Sequence, residues 1–462
     1  METTAHGIAH PDVSLGTTLA FAALLVVLIV ALALEERLHA RKSFIAGVMA
    51  VVCLLAATYA GLLPFGPVVD AFGQRIAIPV YVTAVDWGVI TVILGSSLFV
   101  DVASGSGLFT WIAIRMTKLS RGDPRRLVWL YGVMTVVFSA VLNNVTAMII
   151  VGSLTVVSLQ RLDRTAYLPG LLLVEGLLTN IGGLLTLISS VPNIIVGGVA
   201  HISFARFFVV ASPFVVVATV GTVLAGIRLF GIAPLATDAE RARARALVDS
   251  FDETDGIRSW RFFGFSAVAT VLFIVTIATT SALPGIDALG IGFVALAFAL
   301  VVLVPYRHEV DRYYRAIDWD LLGFFVSLFV VVNVMEHARV LALIGRGLSA
   351  IVGLGPHAGA GLVLVGSAAF SSVTDNIPLA AMLARILHEM GTPEESRLWW
   401  SVIFGANLGG NLTPIGSAST LVAVTLMQRH GIRMGFGAFV VRALPFALIQ
   451  IALATLYVLV AL

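Results

Sequence analysis

Polar side chains able to coordinate an ion or bind a small solute stand at matching places in the two halves of this chain. Asn143, Asn144 and Thr146 lie in Ser139–Thr146 (SAVLNNVT), and Thr374, Asp375 and Asn376 in Ser371–Pro378 (SSVTDNIP). Asn144 and Asn376 are 232 residues apart, as are Asp86-Trp87 and Asp318-Trp319. A second pair follows, Thr179–Asn193 and Ala406–Thr420. Each contains a Gly-Gly step (Gly182-Gly183, Gly409-Gly410) among hydroxyl and amide residues. The first carries Asn180, Thr186, Ser190, Pro192 and Asn193; the second carries Asn407, Asn411, Thr413, Pro414 and Ser417. Amide, hydroxyl and carbonyl oxygens are hard ligands suited to a small cation, while amide and backbone N–H groups donate to anions. Asp375 and Glu175 are the acids of this set. A carboxylate that alternately holds a proton and a metal cation is the simplest coupling device for an antiporter, with sodium at Asp375 as the candidate metal. Asp375 leads because no Lys or Arg follows it in sequence before Arg385. Asp101, Glu336, His337 and Arg339 read as structural pairs or interface residues.

The surrounding composition says where such residues must work. The chain is 59% hydrophobic and 12% charged, with a mean hydropathy of +1.02, against roughly 25% charged in a soluble domain. An integral membrane protein is predicted, embedded in the lipid bilayer. A net charge of +2 without a basic, aromatic-interleaved patch argues against nucleic acid. The single cysteine, Cys53, excludes an intramolecular disulfide framework. Without nucleotide-binding, zinc-protease or serine-hydrolase motifs, neither an enzyme nor a resident cofactor is expected.

Apolar runs predict spans at Leu15–Leu34, Phe44–Leu63, Trp87–Met116, Ala205–Phe230, Trp260–Ala282, Ile286–Val304, Leu321–Ile344 and Phe436–Leu462. Glu2, with no Lys or Arg ahead of the first run, argues for a retained helix rather than a signal peptide. Lys and Arg concentrate at 37–42, 118–126, 161–164, 238–261, 307–315 and 429–433, which the positive-inside rule makes cytoplasmic; 63–85 and 389–396 should face outward. The segments flanking Asn143-Asn144 have about 15 residues per arm, short of a crossing, so a re-entrant hairpin is predicted with that pair at its tip. Its counterpart, with Asp375-Asn376 at the tip, would enter from the other side, making the repeats inverted. Asn and Thr at the tips also suit helix N-capping. Gly and Pro in the second motif pair predict helices broken near mid-membrane, whose N–H ends can face an anion and carbonyl ends a cation; an unbroken helix with glycines for close packing is the alternative.

The expected organisation is all-α: scaffold helices in 1–64; a first inverted repeat over 80–231 (hairpin 127–159, broken helix 167–199); a cytoplasmic linker over 232–259; scaffold helices over 260–304; and a second repeat over 318–462 (hairpin 357–388, broken helix 397–427).

Four segments, Ala140–Thr146, Asn180–Asn193, Ser371–Pro378 and Gly405–Ser417, together resemble the ion transporter superfamily. The likeness is to its arsenite permease and sodium–proton antiporter (ArsB/NhaD) branch, which includes the P protein, and more distantly to divalent-anion:sodium symporters. The resemblance implies an elevator-type secondary transporter, usually a homodimer, in a bacterial inner membrane. It implies coordination by Asn143, Asn144, Thr146, Asn180 and Gly183 in one half and by Asp375, Asn376, Asn407, Gly410 and Thr413 in the other. Relatives often place Asp where this chain has Asn143, and Gly-Asp-Pro-Pro-Asn where it reads Ser189–Asn193, so two acids are missing here. Sodium–proton antiport is the leading expectation; efflux of arsenite or another oxyanion, and sodium-coupled uptake of a carboxylate or sulfate, are the alternatives.

Overall fold

In hydrocarbon, backbone N–H and C=O groups find partners only within helices or closed barrels, and long apolar runs resolve here into helices. The computed structural model describes residues 13–63, 68–69, 74–76 and 78–462. Glu2, and part of the 63–85 stretch, lie outside the described residues. In chain order, α1 (Leu15–Ala33), α2 (Glu35–Leu38), α3 (Lys42–Tyr59) and α4 (Val80–Thr83) come first. The first repeat holds α5 (Trp87–Gly105), α6 (Leu108–Ser120), α7 (Pro124–Val141), α8 (Asn144–Arg161), α9 (Leu168–Gly182), α10 (Val191–Val199) and α11 (Phe204–Leu229). Between the repeats lie α12 (Asp238–Asp249), α13 (Trp260–Thr279), α14 (Ile286–Leu303) and α15 (Val310–Ala316). The same order then returns as α16 (Trp319–His337), α17 (Val340–Val352), α18 (Pro356–Ser371), α19 (Asn376–Glu389), α20 (Arg397–Gly409), α21 (Ala418–Arg429) and α22 (Phe436–Val460). Strands Val68–Val69 and Arg75–Ile76 pair antiparallel. Among the described residues, nine helical stretches are long and apolar enough to cross a membrane.

Three features differ from the sequence-based expectation. The spans predicted at Trp87–Met116 and Leu321–Ile344 are each two helices. The chain turns at Gly107 (φ 85°) and at Arg339 (φ 62°), left-handed residues 232 positions apart. Periodicity cannot reveal such a turn when both flanks are apolar. The arms α7 and α8 have 18 residues each, longer than expected, because they run on through polar ends at Pro124–Arg126 and Ser158–Arg161. As a result α8 counts among the apolar helices of crossing length.

Packing repeats with the sequence. α14 lies along α5 and α3 along α16; α7 packs on α9 and α18 on α20. The two halves also interlock, since α21 packs against α8 and α9 while α10 packs against α19 and α20. Two glycines set how closely the hairpins approach. A Cβ on Gly182 would come within 2.6 Å of the Val136 carbonyl oxygen, and one on Gly409 within 2.3 Å of the Ala368 carbonyl oxygen.

Outside the membrane-length helices, α12 opens with a reciprocal capping box between Thr237 and Glu240. N–H groups of Thr237 and Ala236, with Arg164 adding less, hold the Glu240 carboxyl below its usual range.

Gly182→Ala or Gly409→Ala should cost about 1–3 kcal/mol by overpacking, read as a lower melting temperature in detergent, whereas Gly347→Ala, with open space around its Cβ position, should not. For α12 the sign follows from a lowered folded-state pKa. Its stabilisation is complete above the ordinary glutamate range (about 4.3) and is lost as pH falls through the depressed value. Acid-protease cleavage within 232–259 should therefore rise below that range in the native chain, and Glu240→Gln should remove the acid-dependent part of the rise.

Candidate substrate and ion site

Each hairpin tip is made by a helix cap. Asn143 accepts the Thr146 N–H at 2.7 Å and opens α8; Asp375 accepts the Ile377 N–H at 3.1 Å and opens α19. Asn143 is exposed, and the contact recorded for Thr146 is through its backbone, so among the residues expected at the first tip it is Asn144 that turns inward. Its amide nitrogen donates to Asn180 Oδ1 (3.2 Å), and its Oδ1 accepts from Ser139 Oγ (2.6 Å). Ser139 Oγ lies equally close to the Thr179 carbonyl, so its one proton is shared between two acceptors.

The broken helices carry the rest. α9 ends at Gly182 and α10 begins at Val191; α20 ends at Gly409 and α21 begins at Ala418. Carbonyls around the breaks are met by side chains at matching positions. Ser139 and Ser371 donate to the carbonyls of Thr179 and Ala406, each at 2.6 Å. Thr186 and Thr413 donate to those of Ala140 and Ser372, again at 2.6 Å. Gly183 contributes through its carbonyl, which accepts from Asn193 Nδ2 (2.7 Å) and Ser189 Oγ (2.6 Å). Gly410 contributes by lacking a side chain, since a Cβ there would meet the Gly416 carbonyl at 2.9 Å.

Across the repeat interface the bonds are exchanged. Ser190, which precedes α10, donates to Asn407 Oδ1 (2.6 Å), and Ser417, which precedes α21, donates to Asn180 Oδ1 (2.9 Å). Asn407 Nδ2 donates to Asn193 Oδ1 (2.9 Å), and Asn180 Nδ2 to Asn411 Oδ1 (2.8 Å). Sequence reasoning left Gln450 out. Its Oε1 accepts from Asn411 Nδ2 (2.7 Å) while its Nε2 donates to Thr222 (2.9 Å). A single amide in the predominantly apolar α22 was the available signal.

The acids lie apart from this neutral network. Asp375 Oδ2 is 2.7 Å from Lys42 Nζ at the start of α3, a partner 333 residues away that sequence proximity could not reveal. Lys42 also faces Glu35 at 3.7 Å, and beside it Ser43 donates to Asp320. Glu175 is buried between α8 and α9: Thr155 donates to its Oε1 (2.6 Å), and Oε2 has no partner among the described residues. Asn376 has no side-chain hydrogen-bond partner among them either, although its counterpart Asn144 has two. No cluster of three His, Cys, Asp or Glu that could hold a metal occurs among the described residues.

A duplicated helical membrane fold with broken helices meeting at the repeat interface defines a secondary transporter, and not an enzyme. The citrate transporter (CitMHS) family profile matches residues 29–405, and the chain belongs to that family. An uncharacterized transporter of Mycobacterium tuberculosis is 30% identical over 380 residues, covering 81% of this chain and 86% of that protein. A 46 kDa membrane protein of Mycobacterium leprae is 31% identical over 383 residues, with the same coverage. The human P protein is 24% identical over 510 residues, covering 92% of this chain and 60% of its own. The fold matches the crystal structure of the Alcanivorax borkumensis YdaH transporter, described as having an unusual topology. The TM-score is 0.54 at 14% identity, over 96% of this chain and 98% of that one.

Asn411→Ala removes the buried amide and takes one partner each from Asn180 Nδ2, Gln450 Oε1 and the Leu177 carbonyl. Each such group costs about 1–3 kcal/mol, so thermal unfolding in detergent should show a clearly larger loss than for Asn143→Ala at the exposed tip.

Proposed function

We propose that this protein carries a small carboxylate across the membrane, coupled to a cation. The observation that carries the reading is the convergence of three positive helix ends on a network of neutral amides and hydroxyls. Asn144 opens α8, Ser190 and Ser417 precede α10 and α21, and bonds through Asn180 and Asn407 gather these three starts at the repeat interface. Helix N-termini favour negative charge by about 0.3–1 kcal/mol each and are ready anion sites. Asn376, which opens α19 beside Asp375, adds an amide with no side-chain hydrogen-bond partner among the described residues. The citrate transporter family supports the same class of cargo. Carbonyls at the ends of α9 and α20 suit a sodium ion as the partner.

Asp375 then acts less as an ion ligand than as one half of a latch. Its pairing with Lys42 ties the second hairpin tip to α3, and an elevator-like movement of the broken-helix unit past α3, α5, α14 and α16, in a homodimer, would have to open it. Sodium–proton antiport stands as a second reading, favoured by one observation: the buried Glu175 carboxyl with an unpartnered oxygen is placed as a proton-carrying group would be.

Proteoliposomes separate the two. Under the first reading, labelled citrate or another small carboxylate enters on a sodium or proton gradient, and Asn376→Ala or Asn180→Ala lowers uptake by ~10-fold or more, about the 1.4 kcal/mol of one lost polar contact. Sodium-driven proton movement without any carboxylate, abolished by Glu175→Gln, would instead establish the second. Asp375→Asn should change the rate of carboxylate uptake while leaving the chain folded. Unchanged uptake would remove the latch from the mechanism.

A further inference from the structure

Far from the repeat interface, the turn between α6 and α7 and the segment leading into α12 enclose a cavity of about 660 Å³ lined by Arg121, Arg125, Arg126, Arg241 and Arg245, with Asp123 as its one acid. The arginines come from two stretches more than a hundred residues apart, so the cluster is made by folding and not by a run in the sequence.

The junction itself is built by specific contacts. A Cβ on Gly122, whose φ is +70°, would fall 2.8 Å from Ala244 Cβ, so α12 sits directly on the turn. Asp123 Oδ2 accepts the Leu235 N–H (3.0 Å), Arg125 Nε donates to the Ile232 carbonyl (2.9 Å), and Arg241 donates to the Leu235 carbonyl through Nε and Nη2. Asp123 is thereby occupied with the backbone of Leu235 and Arg126.

The positive charge is largely uncompensated. Arg241 meets Asp238 at 3.0 Å and Arg245 meets Asp249 at 3.7 Å, both exposed pairs of the kind worth little in water. Arg121 and Arg126 have no side-chain partner among the described residues. Arg121 is held in the left-handed region (φ 55°), which fixes the turn that presents it. Converging guanidinium groups around a cavity are the arrangement that takes a phosphate through paired N–H donors.

We propose that this cavity binds a phosphate group and that the bound phosphate clamps α12 to the α6–α7 turn. The group could belong to the headgroup of an anionic phospholipid, since arginine-lined pockets at the cytoplasmic side suit one, or to a phosphate in solution.

The test uses the full chain in delipidated detergent and, separately, in nanodiscs of phosphatidylcholine with or without phosphatidylglycerol. The readouts are melting temperature and protease cleavage within 232–259. Stabilisation and linker protection by millimolar inorganic phosphate or pyrophosphate in detergent would assign a soluble source; an effect confined to phosphatidylglycerol would assign the lipid. Either supports the site, provided that R121Q/R126Q weakens the apparent affinity by ~10-fold or more, as loss of two charge-assisted donors requires, while R121K/R126K retains part of it. The double variants touch no protein partner, so their folding is expected to hold and is checked by the unliganded melting temperature. No effect from phosphate, pyrophosphate or phosphatidylglycerol, or an equal effect in R121Q/R126Q, overturns the proposal.

Discussion

A helix interrupted inside a membrane protein exposes backbone groups that lipid cannot satisfy, at several kcal/mol for each one left bare. The α9–α10 and α20–α21 breaks depend on solving that problem. Hydroxyls of Ser139, Ser371, Thr186 and Thr413 donate to carbonyls around the breaks within each half. Amides of Asn180 and Asn407 then bind across the interface, each accepting from the serine that precedes the other half's second helix segment. The packing of α21 on α8 and α9, and of α10 on α19 and α20, brings these side chains within reach of one another. Gly182 and Gly409 allow the helices to come close enough for it.

The symmetry is one of backbone and position more than of chemistry. Asn144 is anchored by Ser139 and Asn180, whereas Asn376 has no side-chain hydrogen-bond partner among the described residues. Asn193 fills its break with an amide, and its counterpart Thr420 does so with a hydroxyl donating to the Ser417 carbonyl at 2.7 Å. The first tip is capped by neutral Asn143 and the second by Asp375, bound to Lys42. A carrier built on duplicated halves can thus present different surfaces to cargo and to coupling ion while keeping one architecture. In the proposed reading, the unanchored Asn376 is where cargo is met, and the Lys42–Asp375 pair is what must part when the site moves.

Much of the architecture was legible because lipid leaves few options. Long apolar runs must be helices, and polar residues inside them must have partners, so the Asn-Asn and Asp-Asn motifs and the two Gly-Gly segments marked the hairpin tips and the helix breaks. The turns at Gly107 and Arg339 were hidden, since an apolar sequence reads alike on both sides of a sharp bend. Gln450 was visible only as one amide in a predominantly apolar helix, with no periodicity to name its partners.

By itself, then, the sequence determined the membrane setting, the duplicated order of helices, and the amide and hydroxyl residues at the breaks, because hydropathy and spacing are local properties. Only the tertiary structure decided which groups meet. It placed Lys42 against Asp375 across 333 residues, Ser190 on Asn407, and the arginines of the α6–α7 turn beside those of α12. The physical reason is that ion pairs and hydrogen bonds act over a few ångströms of space, and separation along the chain carries no record of them.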